Sequence, residues 1–96
     1  MCMKEYKDHS GKLCIELWPK ASHEKLLSFA KLLQTRLEAK IVEKLDGLDQ
    51  VYWGFQIDDH IFTLHMDTFA GISLFPKNEI DDDLLRKVAS KLMKQT

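Results

Sequence analysis

Apolar and polar residues alternate with a period of two from Val51 to Ile57 and again from Phe62 to Asp67, the pattern of β-strands with one buried face. Val51, Trp53, Phe55 and Ile57 form the apolar set of the first run, with Tyr52, Gly54 and Gln56 between them. Phe62, Leu64 and Met66 form that of the second, with Thr63, His65 and Asp67 on the other side. Asp58-Asp59 separates the runs and reads as the loop of a tight hairpin. Ile57 then lies opposite His60, Phe55 opposite Phe62, Trp53 opposite Leu64 and Val51 opposite Met66. A slip of one residue would set Phe55 against Thr63 and Trp53 against His65, so the pattern itself selects the register. Gly71-Ile72-Ser73-Leu74-Phe75 supplies another strand, in which Ile72 and Leu74 continue the apolar face beyond Met66 and Leu64 until Pro76 ends it.

Upstream, Leu13, Ile15 and Leu17 alternate with Lys12, Cys14 and Glu16, predicting a strand that ends at Trp18-Pro19. Ser22 is suited to cap a helix, with Glu24 in its first turn. Leu26, Leu27, Phe29, Ala30, Leu33 and Leu37 then recur at helical spacing, and the helix is expected to end near Glu38 to Lys40. Lys40 to Leu45 reads as a strand before Asp46-Gly47 breaks the chain. A last helix runs from about Asp82 to the C-terminus, with Leu84, Leu85, Val88, Ala89 and Leu92 as its apolar stripe. Asp81 is placed to cap it and Ile80 to staple onto Leu85, while Asp82 and Asp83 complement the positive end of the helix dipole and Lys91 and Lys94 the negative end.

The order β-α-β-β-β-β-α gives an α+β fold of two layers, an antiparallel sheet of four to five strands packed on two helices. Trp53, Phe55, Phe62 and Leu64 face the helices, and the opposite sheet face is left open. This order of elements, from Leu13 to Leu92, resembles the helix-grip arrangement of TATA-box-binding-protein-like domains, and the chain is similar in size and texture to small bacterial families of unknown function. The resemblance implies an architecture and no activity, because one architecture hosts unrelated functions.

The 96 residues make one domain, 1–96, with 1–11 expected to be loosely ordered. Such a length buries roughly 60–70% of the unfolded surface without a metal or disulfide staple. A net charge of −1 with dispersed basic residues gives no footprint for a phosphate backbone, which argues against nucleic acid. Cys2 and Cys14 match no disulfide or zinc spacing and read as reduced thiols. The charged N-terminal segment lacks the apolar run of a secretion signal, and no stretch reaches membrane-spanning length. The expectation is a cytoplasmic protein that does not engage a membrane.

Candidate chemistry lies on the open face. The register sets Tyr52 opposite His65, with Ser73 on the far side of His65. A Tyr-His-Ser row can bind a small polar ligand or move protons, although polar residues on a half-exposed strand are also what solvent exposure alone produces. His60 and His65 fall on opposite faces and cannot share a metal ion, and His9 and His23 have no ligand spacing, so no metal or cofactor is expected. Asp81-Asp82-Asp83 is explained by capping, and the glycines form no phosphate-cradling pattern. Cys14, on the open side, reads as an accessible thiol without an evident activating partner. Trp18 has the parity of the open face, where it could join Tyr52 and Ile61 in an interface patch; alternatively, next to Pro19, it folds under the first helix. The leading expectation is a non-enzymatic interaction module using the open face or a sheet edge, with a protein partner or a second copy of itself as a homodimer. The alternative is a small-ligand binder or enzyme built on Tyr52, His65 and Ser73.

Overall fold

The computed structural model describes residues 4–7, 11–77 and 82–93. They form β1 (Lys4–Lys7), β2 (Leu13–Trp18), α1 (His23–Arg36), β3 (Lys40–Asp46), β4 (Gln50–Ile57), β5 (His60–Asp67), β6 (Gly71–Pro76) and α2 (Asp82–Met93). All strand pairs are antiparallel, and the spatial order is β1-β2-β6-β5-β4-β3. The fold is thus α+β with a six-stranded sheet, one strand more than the upper expectation. The additional strand is β1, inside a segment expected to be loose. Lys4-Glu5-Tyr6-Lys7 has no apolar alternation, and all four residues are exposed. It is held by pairing to β2 and by contacts with α2: Arg86 donates to both oxygens of Glu5 at 3.0 and 3.2 Å, and Lys7 stands 3.8 Å from Asp82.

The hairpin β4–β5 has the expected register, with Ile57 opposite His60, Phe55 opposite Phe62, Trp53 opposite Leu64 and Val51 opposite Met66. Asp58 takes a left-handed φ of 54°, which an aspartate tolerates better than most residues, and so closes the two-residue turn. β6 continues the same face, Met66 opposite Ile72 and Leu64 opposite Leu74. Phe55, Phe62, Leu64, Ile72 and Leu74 are sealed from solvent, each contributing about 1.5–3 kcal/mol of transfer free energy.

The Ser22 side chain accepts the Lys25 N–H at 3.2 Å and starts α1 as expected. The helix ends at Arg36, slightly earlier than expected, because Glu38 adopts a left-handed φ of 54° that turns the chain into β3 while the Leu37 and Ala39 N–H groups both close onto Leu33 O. α1 contributes Leu26, Phe29, Ala30 and Leu33 to the core and packs on β5; α2 contributes Leu85, Val88, Ala89 and Leu92 and packs on β2 and β6. The capping and stapling roles of Asp81 and Ile80, and the place of Lys94, lie outside the described residues. Gly71 joins the β5–β6 turn at φ 98°, where a Cβ would lie 2.4 Å from Trp18 O, so only glycine fits. Among the described residues, no helix is long and apolar enough to cross a membrane.

Candidate functional site

The open sheet face is built by residues one position out of phase with the core. Successive registers align Leu45, Tyr52, His65, Ser73 and Glu16 in one row across five strands. The expected Tyr52-His65-Ser73 row is therefore present. The Tyr52 ring stacks on His65 with centroids 4.3 Å apart at 14°, and Phe75 meets His65 edge-on at 6.1 Å. Tyr52 also donates its hydroxyl proton to Gln50 Oε1.

These covers give His65 its chemical character. Burial lowers its pKa below the ordinary histidine value, opposed only in part by the charge of Asp67. Its Nε2 is buried and makes no hydrogen bond. Ser73 is itself buried, and its Oγ accepts the Tyr6 hydroxyl proton at 3.0 Å. Tyr6 is 42% exposed, and the partial burial of its side chain raises its pKa, with the bond to Ser73 acting the other way. The row brings an imidazole and a hydroxyl together without joining them, so it contains no formed nucleophile–base pair.

Tyr6 was beyond sequence reasoning because the only visible signal was a lone aromatic in a charged segment. It also corrects the reading of Cys14. Cys14 lies on the open side but is buried, since β1 pairs Tyr6 directly with it. Its Sγ approaches Lys12 O at 3.9 Å.

Trp18 does not join Tyr52 and Ile61. A bulge between Glu16 and Trp18 shifts the register so that Trp18 lies opposite Ile72, a core residue, and its ring packs against the core with Lys25 Nζ 4.2 Å from the ring centroid. Of the two readings left open for it, the structure adopts the place under the first helix. Tyr52 and Ile61 remain on the open face, separated from Trp18 by the sheet.

Beside the row lies a depression of about 450 Å³. Leu45, Tyr52, Phe75 and Pro76 wall it, Gly54 and Thr63 lie between them, and Lys12, Glu43 and Lys77 bring charge to its margin. Lys77 pairs with Glu43 at 3.6 Å. His65 and Ser73 do not line it. Phe75 has the parity of Ser73, so the alternation of β6 carried a signal for it, whereas Leu45 depended on the bulged register of β3. Among the described residues, no three histidine, cysteine, aspartate or glutamate side chains gather as metal ligands.

Residues 1–94 match a family described as "Protein of unknown function (DUF3630)". The chain belongs to this DUF3630 family. No curated protein and no solved structure matches it. In this DUF3630 chain the row and the depression meet at Tyr52, whose ring covers His65 on one side and walls the depression on the other.

Proposed function

We propose that this DUF3630 chain is a non-enzymatic, cytoplasmic protein-interaction module that works through the open face of its sheet and forms a homodimer there. The observation that carries this reading is exposed apolar surface where β3 meets β4: Leu45, 56% exposed, lies opposite the exposed Tyr52, and Val42, 48% exposed, lies beyond Glu43 next to Gly54. Apolar side chains clustered on an otherwise ordinary surface favour contact with a partner. The face is a better candidate than the edge of β3. That strand is bulged between Ile41 and Glu43 and carries Lys40, Glu43, Lys44 and Asp46, features that discourage strand addition. Dispersed charge gives no support for nucleic acid as the partner.

Light scattering across a concentration series tests the homodimer. The expected result is a dimer that becomes a monomer in the exposed double variant V42S/L45S. A wild-type monomer at several hundred micromolar would remove self-association from the reading.

The unpartnered Nε2 of His65 favours a second reading, a small polar ligand bound at Tyr52, His65 and Ser73. Imidazole NMR with added inorganic phosphate or acetate tests it. Unchanged His65 resonances at millimolar ligand would count against such a site for anions of this kind.

A further inference from the structure

Where β3 turns into β4 and β5 turns into β6, two adjoining loop tips present large apolar side chains to solvent. Leu48 is fully exposed and Phe69 is 89% exposed. Neither sits on a loose loop. The Thr68 N–H and hydroxyl both donate to Asp49 O at 3.0 Å, tying one turn to the other. Within the turns, Gly47 N–H donates to Gln50 O at 2.7 Å and Phe69 N–H to Asp67 Oδ1 at 2.8 Å. Apolar side chains held out on fixed turns lose little entropy on contact, which is what an interface anchor requires.

Between these tips and the start of α1 opens a cleft of about 310 Å³, lined by Leu27, Leu48, Trp53 and Met66 together with Asp46 and Asp49. Trp53 Nε1 donates to Asp46 Oδ1 at 2.8 Å and so fixes that carboxylate at the cleft. Segments 46–50 and 67–70 hold three aspartates and neither lysine nor arginine. His23, at the start of α1, also lines the cleft, and Lys44 Nζ lies 4.6 Å from the centre of the Trp53 ring.

We propose that this end of the molecule is a docking surface for a protein segment carrying lysine or arginine beside an apolar anchor. The apolar side chain packs on Leu48 and Phe69. The cation lies with its stem on the cleft wall and its charged end near Asp46 and Asp49. Charge selects this occupant over two others. An anionic lipid surface would be repelled by the three aspartates, and a second copy presenting the same surface would set aspartates against aspartates. The site is separate from the apolar surface proposed above, so V42S/L45S leaves it intact.

The test is selection of random dodecapeptides displayed on phage against the full chain, with selected peptides then measured by fluorescence anisotropy. The expected binders are rich in lysine or arginine next to leucine or aromatic residues. Their affinity falls at least tenfold with L48S/F69S and with Asp49→Lys, and rises with Lys44→Gln. All substituted side chains are surface groups, and an unchanged melting temperature verifies that the variants fold. Acidic binders, binders indifferent to both L48S/F69S and Asp49→Lys, or no binders would overturn the proposal. So would loss, in L48S/F69S, of dimerisation or of co-sedimentation with phosphatidylglycerol vesicles, since either assigns the tips to another occupant.

Discussion

The helix-covered face of the sheet joins Phe55, Phe62, Leu64 and Leu74, all sealed from solvent, whereas the opposite face links Tyr6 to Ser73 by one hydrogen bond and His65 to Tyr52 and Phe75 by two ring contacts. The first arrangement needs only shape and apolarity, and any well-packed residue of the right volume supports its neighbours. The second depends on particular partners meeting at particular atoms, each contact contributing little by itself. Stability is therefore concentrated on one face and chemical individuality on the other.

Substitutions can break that contrast. Phe62→Ala, opening a cavity between β5 and the helices, should cost about 3–5 kcal/mol in urea denaturation; a loss below about 1 kcal/mol would mean the covered face is not the main source of stability. Gly71→Ala should cost about 1–3 kcal/mol from backbone strain alone, with more from the close approach to Trp18 O, and is read in the same experiment. On the open face, His65→Ala should lose about 1 kcal/mol with the Tyr52 stack, and a cost as large as that of Phe62→Ala would erase the distinction between faces. Tyr6→Phe, which removes the hydroxyl bonded to Ser73, should lose about 0.5–1.5 kcal/mol.

The pH dependence sharpens the same comparison. An unfolded histidine takes up its proton near pH 6.5, and folded His65 does so at lower pH because burial disfavours its charged form. Between those two values the unfolded chain binds more protons, so stability declines as pH falls through the window and is fully present above it. Urea midpoints for wild type and His65→Asn between pH 7.5 and 5.5 should show a shallower decline in the variant. Equal slopes would mean that His65 titrates alike in both states.

The hydrophobic pattern made the covered face legible, because alternation and register determine which residues meet in β4, β5 and β6. The same parity brought Tyr52, His65 and Ser73 into line. It could not reveal β1, whose residues bury no apolar set and are held by ladder bonds and by Arg86, a residue remote in sequence. Nor could it place Trp18 or Cys14. A single bulged residue moved the first to the other side of the sheet, and the unanticipated Tyr6 covered the second. Strand period is a local property, whereas bulges and cross-strand covers are settled by partners far along the chain.

The pairing of β2 with β6, which sets Ile15 beside Leu74, has a consequence for how the molecule comes into being. The ladders from β3 to β6 close across short turns, so they can assemble soon after each is synthesised. The β2–β6 ladder must instead close across positions 15 to 74, and α2, the last element, packs on these same two strands. Long-range closure of this kind is the slow part of folding. On the ribosome, the first strands therefore wait, with Ile15 and Leu17 uncovered, until the last strand and helix emerge, and it is in that interval that the nascent chain is most exposed to aggregation.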